Sequence, residues 1–140
     1  MNDAWATDWL RRFSGEDPSS LMDLYAEQAQ FEDITLSRTV RGRRELREWF
    51  TGFMNPAHRQ NTFTLVIYTG GAGGGAIEWT WTARHHASFL NLPAQGKETR
   101  VRGVSVIRFE AGKIREQRDY WDARTLMQQL GASADVRSGT

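Results

Sequence analysis

The chain has 140 residues, enough for one domain with a core and a pocket, and it contains no cysteine. Its 18 basic and 17 acidic residues leave a formal net charge of +1, which excludes the broad basic surface of a nucleic-acid-binding protein. Disulfides and thiolate metal sites are excluded, no apolar run is long enough to span a membrane, and we expect a cytoplasmic protein without a signal peptide.

The N-terminal half has mainly helical periodicity. Trp5, Trp9 and Phe13 recur every four residues, as on one face of a helix. Asp17 and Pro18 are typical of a helix start. The predicted elements are helices over 4–13 and 17–28, a strand over 29–35, a turn over 36–42 and a helix over 43–53.

After Pro56 the apolar period changes to two, which indicates strands. The glycine-rich segment 70–75 lies between two such strands and predicts a hairpin loop. We therefore expect an α+β fold, in which a curved antiparallel sheet wraps over the helices and forms a cone with an internal pocket. The predicted strands cover 61–69, 76–89, 98–109 and 113–121, a last helix covers 125–131, and one domain over 1–131 precedes a flexible tail over 132–140.

Two adjacent carboxylates interrupt the β-prone run FEDITL at residues 31–36. Alternation along a strand places Asp33 on the same face as Phe31, and Glu32 on the opposite face. If Phe31 faces an interior pocket, burial raises the pKa of Asp33 toward the range that suits a general base. The alternative is a solvated carboxylate in a loop just past the strand.

The last predicted strand carries a second candidate carboxylate. Alternation places Gln117, Asp119 and Trp121 on one face, which we interpret as the pocket face. The alternative for Asp119 is a salt bridge to Arg100 or Arg102. Asp122 fits the N-cap of the final helix instead.

The histidines do not predict a metal site. His85 and His86 are adjacent on a strand, so their side chains diverge and cannot bind one metal ion. His86 shares a polar face with Arg84 and Ser88, which allows either a pocket acid–base residue or a histidine on a solvated or interface face.

Trp79 and Trp81 share the face of a predicted strand with apolar neighbours. That face is either the interior of the cone or the interface of a homodimer. Alternation alone does not decide, because a single β-bulge reverses the two faces.

Two long segments resemble known families. LYAEQAQFEDITLSRTVRGRRELREWF, residues 24–50, resembles ketosteroid isomerases. TRVRGVSVIRFEAGKIREQRDYWDARTLMQQLG, residues 99–131, resembles the C-terminal half of SnoaL-like proteins, a group with polyketide cyclases, and its RDYWD is similar to the last strand of limonene epoxide hydrolases. All belong to the nuclear transport factor 2-like superfamily, so the resemblance implies its cone fold.

The resemblance also implies roles for single residues. Asp33 matches the carboxylate that isomerases use to move a proton, and Asp119 resembles the late carboxylate that epoxide hydrolases use as an acid. Trp49 and Phe50 match aromatic pocket residues. Two positions depart from the isomerases, since Trp9 replaces their oxyanion-stabilising tyrosine and Ser105 lies near the place of their protonated aspartic acid.

The predicted function is acid–base chemistry on a small, largely apolar, cyclic metabolite, without a cofactor or metal. Isomerisation, aldol-type cyclisation and epoxide or ester hydrolysis are all compatible. Asp33 would move the proton, and Asp119 or His86 would stabilise or protonate the oxygen. The alternative is a non-catalytic ligand-binding or assembly module, and in either case we expect a homodimer. The predicted ligand-binding residues are Trp9, Trp49, Phe50, Gln117 and Trp121.

Overall fold

The computed structural model describes residues 2–131, so the predicted tail lies outside the described residues. Within this range no helix is long and apolar enough to cross a membrane. The elements in chain order are α1 (Asp3–Phe13), α2 (Ser19–Met22), β1 (Tyr25–Asp33), β2 (Arg38–Arg41), α3 (Gly42–Phe53), β3 (Arg59–Gly71), β4 (Gly74–His85), β5 (Glu98–Glu110), β6 (Lys113–Trp121) and α4 (Ala123–Gln129).

The six strands form one curved, unclosed sheet in the order β2-β1-β6-β5-β4-β3. The predicted α+β class is confirmed, and β3 to β6 form the expected antiparallel series. β1 joins the edge of this series at β6 and runs parallel to it, so the sheet is antiparallel except at this pair. Parallel strands need a long crossover connection, and here β2, α3 and the three strands that follow provide it.

The elements on either side of β1 differ from the predictions. The second helix ends at Met22, and Tyr25 already belongs to β1, where it pairs with Ile114 of β6. The register of this ladder shifts between Tyr25 and Gln30, where β1 contains more residues than the facing part of β6. The predicted turn over 36–42 contains the short edge strand β2, which pairs with the end of β1.

The helices α1 and α3 cover the concave face of the sheet with aromatic side chains. Phe13 of α1 contacts Phe50 of α3 and Phe63 of β3, with ring centroids 5.0 and 5.4 Å apart. Trp79 and Trp81 point into the same interior and are only 4% and 3% exposed. Of the two alternatives for these tryptophans, the interior is therefore correct, and their burial in a dimer interface is wrong.

Candidate active site

A cavity of about 420 Å³ lies between the concave face of the sheet and the helices α1 and α3. Most of its wall is aromatic, which suits a flat apolar ligand. A few polar groups interrupt that wall at separate places. The residues that line it include Trp9, Phe31, Asp33, Arg38, Trp49, Phe50, Phe53, Arg59, Trp79, Trp81, Phe89, Ser105, Asp119 and Trp121.

Two carboxylates lie side by side in the cavity wall. Asp33 of β1 and Asp119 of β6 are direct partners in the parallel ladder. The ladder continues with a 2.9 Å hydrogen bond from the backbone N–H of Ile34 to the carbonyl oxygen of Asp119. Because these are neighbouring strands of one sheet and both side chains face the same cavity, the two carboxyl groups can act on one ligand.

Nitrogen donors hold the carboxylate of Asp33. The indole Nε1–H of Trp121 lies 3.1 and 3.0 Å from its two oxygens, and the backbone N–H of Leu36 donates to Oδ1 at 2.9 Å. The residue is 6% exposed. Burial raises the pKa of Asp33, while these N–H groups favour the ionised form and oppose the rise.

The carboxyl group of Asp119 is held at one oxygen only. Ser105 Oγ donates to Oδ1 at 2.6 Å and Gln117 Nε2 donates to the same atom at 3.0 Å. Within residues 2–131 no hydrogen-bond donor reaches Oδ2. Burial raises the pKa of Asp119 to about 7, and the negative charge of Asp33 adds to the rise. A proton on Asp119 therefore resides on Oδ2.

A second layer of hydrogen bonds fixes these donors. Trp79 Nε1 donates to Ser105 Oγ at 3.0 Å. On the other side, Trp9 Nε1 donates to the hydroxyl of Tyr25 at 3.2 Å, and that hydroxyl donates to Gln117 Oε1. Asp119 is therefore the end point of two chains of donors, which orient its carboxyl group before any ligand arrives.

Gly103 makes one of these chains possible. It lies between Trp79 and Trp121 on the paired strands β4, β5 and β6. A Cβ atom at this position would come within 2.4 Å of the Trp79 ring and 2.9 Å of Trp121 Cβ. The Trp79 ring thus lies against the bare backbone of β5, and from there its N–H reaches Ser105.

The structure groups most of the predicted site residues, but not all. Trp9, Trp49, Phe50 and Trp121 line the cavity with the two carboxylates. Gln117 is buried behind the wall, where it contacts Asp119 and does not face the cavity. The alternative of an Asp119–arginine salt bridge is not seen among the described residues, because Arg102 pairs with Glu78 at 2.6 Å.

His86 is not a cavity residue. Its side chain is exposed, and the neighbouring His85 occupies the interior face of β4 with Trp81 and Ala83. The interpretation of His86 as a pocket acid or base is therefore corrected, because alternation from Trp81 directs it outward. This agrees with the alternative of a histidine on a solvated or interface face.

Sequence reasoning missed Arg59 and Phe89. Arg59 shares the interior face of β3 with Asn61 and Phe63, so extending the predicted strand by two residues would have identified it. Phe89 lies in the loop after β4, where Leu90 has a φ of +53°. No sequence pattern predicts that this loop folds over the cavity.

Arg59 forms a second polar site in the cavity wall, and the rings of Phe53 and Phe89 lie on either side of it. Its guanidinium carbon lies 5.5 Å from the centroid of the Phe53 ring and 4.7 Å from that of Phe89. Nη1 donates to the carbonyl oxygen of Phe53 at 2.7 Å. Nε is buried without a hydrogen-bond partner among the described residues. Burial lowers the pKa of Arg59 from its ordinary value.

His85 pairs with Arg59 across the β3–β4 ladder. It is fully buried, and its Nε2 lies 2.9 Å from Thr99 Oγ1. Burial lowers the pKa of His85 to about 4, and the positive charge of Arg59 acts in the same direction. At neutral pH the imidazole is therefore uncharged, and Arg59 carries the positive charge of this region.

Comparison with known proteins identifies the family of this fold. The model of the SnoaL-like domain matches residues 6–117. A search of the curated proteins gave no match.

Several solved structures share the fold at low sequence identity. A hypothetical protein with a ketosteroid isomerase-like fold from Catenulispora acidiphila, in complex with trimethylamine, is 18% identical, with a TM-score of 0.78 and coverage of 96% of this chain and 98% of that one. A candidate polyketide cyclase from Xanthomonas campestris is 15% identical, with a TM-score of 0.79 and coverage of 94% and 100%. AclR from Streptomyces galilaeus, a candidate hydroxylase, is 18% identical, with a TM-score of 0.77 and coverage of 93% and 95%.

At these identities the solved structures establish the fold and leave the reaction open. Their descriptions name different activities on one architecture, so the chemistry must be argued from this chain's own residues. The resemblance to SnoaL-like and ketosteroid isomerase-like proteins is confirmed by the family model and by the fold. The chain belongs to the SnoaL-like domain family, within the nuclear transport factor 2-like superfamily.

Proposed function

We propose that this protein is a cofactor-independent enzyme that moves a proton on a small, largely apolar cyclic carbonyl compound, as in isomerisation or aldol-type cyclisation. The observation that carries the proposal is the pairing of Asp33 with Asp119 in one aromatic cavity. Their surroundings differ, because Asp33 accepts N–H bonds at both oxygens while one oxygen of Asp119 receives no donor from the described residues. Two carboxyl groups in unlike surroundings can serve as base and acid at one pH.

The proposed step divides the work between them. Ionised Asp33 removes a proton from the carbon next to the carbonyl group of the substrate. The Oδ2–H of Asp119 donates to the carbonyl oxygen, where negative charge develops as the C–H bond breaks. The product of this step is an enol or a hydrogen-bonded enolate, which is reprotonated at another carbon or attacks a second carbonyl group within the same molecule.

The aromatic wall would hold the substrate during this step. Trp9, Trp49, Phe50 and Trp121 provide flat apolar surfaces around the carboxylates. Dehydrating the cavity strengthens each hydrogen bond to the developing charge. Among the solved structures of this fold, the description of one as a candidate polyketide cyclase is consistent with the proposal.

The decisive experiment is hydrogen–deuterium exchange at carbon, because it detects the proposed proton transfer without knowledge of the product. Cyclic ketones of two and three rings are incubated with the protein in D₂O, and deuterium uptake is followed by mass spectrometry. We expect Asp33→Asn to slow catalysed exchange roughly 10²–10⁴-fold, the usual contribution of a positioned general base. Glu32→Gln is the matched control, because Glu32 is the next residue and lies outside the cavity wall. Undiminished exchange in Asp33→Asn would remove Asp33 from the mechanism.

One observation favours the second candidate function, a non-catalytic ligand-binding module. Trp121 and the backbone N–H of Leu36 already occupy the oxygens of Asp33, as expected for a carboxylate that shapes the 34–37 turn. In that case the protein binds ketones from the same panel, and no deuterium enters any of them. That result would contradict the enzymatic function and support the binding module.

We also propose a cytoplasmic homodimer that forms through the outer face of the sheet. Ile67 of β3 and Tyr120 of β6 support this, because they are large apolar side chains that remain 54% and 40% exposed in the single chain. Sedimentation equilibrium should give twice the 16.0 kDa chain mass. Replacement of both residues by lysine should give a folded monomer, and a native protein that stays monomeric would refute the dimer.

A further inference from the structure

The cavity wall contains a buried positive charge that the proposed proton transfer does not use. Arg59 is 7% exposed, and no carboxylate within residues 2–131 forms a salt bridge with it. A buried charge without a partner is costly, and proteins usually pair such groups. The guanidinium group therefore lines the cavity without a counter-charge from the described residues, and a bound anion would supply one.

Its hydrogen-bonding capacity is also incomplete. A guanidinium group has five N–H donors, and here a single backbone carbonyl, that of Phe53, accepts from Nη1. Nε is buried without an acceptor among the described residues, and no hydrogen bond is found there for Nη2. The imidazole of His85, the ladder partner of Arg59, is uncharged at neutral pH, so Arg59 itself is the positive charge available to an anion here.

Arg59 also differs from Arg38, a second arginine in the cavity wall. Arg38 lies over the Trp49 ring at 4.9 Å from its centroid, and its side chain is exposed to water, where charge interactions are weak. Arg59 lies between two aromatic rings, which hold its planar fork in one orientation. A rigid, desolvated fork is suited to a carboxylate, which it binds through two parallel N–H bonds.

The cavity connects this arginine with the two carboxylates. Trp81 lies between them, with its ring 5.7 Å from Phe89 on the arginine side and 6.1 Å from Trp121 on the carboxylate side. A molecule lying along Trp81 would reach both groups. Its anionic group belongs at Arg59, since ionised Asp33 repels a negative charge at the other end.

We propose that Arg59 forms a carboxylate-binding subsite, so that the ligand of this cavity is a cyclic acid. In this arrangement the carboxylate accepts hydrogen bonds from the Arg59 fork and the rings lie along Trp81. The placement of a carbonyl group near Asp33 and Asp119 rests on the proposed function, whereas carboxylate binding at Arg59 does not.

The test compares two probes of equal shape, 2-naphthoate and 2-naphthamide, by isothermal titration calorimetry at pH 7.5. We expect the native protein to bind the carboxylate at least about tenfold more tightly, as for a charge-assisted hydrogen-bonded pair. Arg59→Gln should abolish this preference, and Arg59→Lys should keep part of it, because lysine retains the charge and loses the fork. Arg44→Gln is the matched control, because Arg44 is exposed on α3 and lies outside the cavity wall.

A measurement without a variant covers the case in which Arg59→Gln does not fold. In the ¹⁵N NMR spectrum, the Nε–H signal of Arg59 should shift on addition of 2-naphthoate and stay in place with 2-naphthamide. Equal binding of the two probes to the native protein would overturn the subsite. Loss of the preference in Arg38→Gln but not in Arg59→Gln would do the same.

The outcomes for the two proposals are separable. An Arg59-dependent preference for the carboxylate, with no deuterium exchange in any ketone, would support the subsite and contradict the enzyme. Deuterium exchange with equal binding of the two probes would support the enzyme and overturn the subsite.

Discussion

The two polar sites in the cavity wall, one around Asp119 and one around Arg59, differ in how completely their hydrogen bonds are formed. Around Asp119, donors from β5 and β6 are themselves held by Trp79 and Tyr25, and one carboxyl oxygen receives no donor within residues 2–131. Around Arg59, one backbone carbonyl accepts a hydrogen bond, and a buried N–H has no acceptor among the described residues. The carboxylate end is organised in advance, whereas the arginine end has no charged partner in the part of the chain that the structure describes.

This contrast has a physical meaning for the proposed function. A group that transfers a proton has to be oriented before the substrate arrives, because reorientation during the reaction adds to the barrier. A group that binds has to leave hydrogen-bonding capacity for its ligand. The two ends match these requirements. Burial also shifts the pKa of one group at each end, upward for Asp119 and downward for His85, so the two ends affect the pH dependence of stability in opposite directions.

The largest effect on stability is expected for Asp119→Asn. Because burial raises the pKa of Asp119 to about 7 from an ordinary value of 3.8, the unfolded chain ionises first as the pH rises. The native protein should therefore lose free energy of unfolding between pH 4 and pH 7, on the order of 4 kcal/mol from this group. Asparagine carries no charge and can still accept from Ser105 and Gln117, so the variant should be the more stable protein at pH 8.

Urea denaturation at pH 4, 6 and 8 measures this difference. Glu32→Gln provides the control, because it removes a carboxylate from the same pair of strands without touching the cavity wall. A difference between Asp119→Asn and the native protein that does not change with pH would contradict the raised pKa of Asp119.

The arginine end should show the opposite dependence through His85. Burial and the charge of Arg59 lower the pKa of His85 to about 4 from 6.5, so the unfolded chain takes up the proton first as the pH falls. The contribution of His85 to stability is present above pH 6.5 and is lost toward pH 4, on the order of 3 kcal/mol.

His85→Gln should remove this loss and leave the opposite slope of Asp119 visible in urea denaturation. His86→Gln is the matched control, since His86 is the next residue and its side chain is exposed. If the free energies of unfolding of the two histidine variants depend on pH in the same way, His85 is not held in a buried, uncharged state.

The smallest of the three effects concerns the support of the carboxylate end. Gly103→Ala should lower the free energy of unfolding by about 1–3 kcal/mol, because the added methyl group occupies space now filled by the Trp79 ring. Gly52→Ala in α3 is the control, since nothing lies within 4 Å of its added Cβ, and it should stabilise the helix by about 0.5–1 kcal/mol. Thermal unfolding of both variants measures these effects. If Gly103→Ala unfolds at the same temperature as the native protein, the Trp79 ring moves aside without cost.

The sequence predicts the faces of strands well and their partners poorly. Alternation placed Asp33 with Phe31, and Asp119 with Trp121, because side chains of a strand alternate wherever no bulge intervenes. It could not predict that Asp33 and Asp119 are neighbours, because no local pattern encodes the pairing of distant strands. Tyr25 was misassigned to a helix because the short apolar pattern before it fits either element.

The arginine end was missed for a different reason. The side of a sheet that faces the interior depends on packing against the helices, so alternation could separate His85 from His86 but could not say which one is buried. Arg59 is charged, and charged residues are rarely buried without a partner, so the residue type argues against an interior position. A buried charged side chain such as that of Arg59 breaks this rule, and functional residues are expected at positions of this kind.

The parallel ladder between β1 and β6 has a consequence for how the protein folds. It joins residues as far apart as Tyr25 and Ile114, which are separated by 89 positions, so contacts of this ladder carry a high loop-closure cost and favour slow folding. In the unfolded chain at pH 7 Asp33 and Asp119 are both ionised, whereas the docked strands hold Asp119 near its midpoint of titration. Closing the cavity therefore takes up a fraction of a proton at Asp119, and a pH indicator in weak buffer would follow that uptake in the His85→Gln variant, which lacks the opposite release of protons by His85.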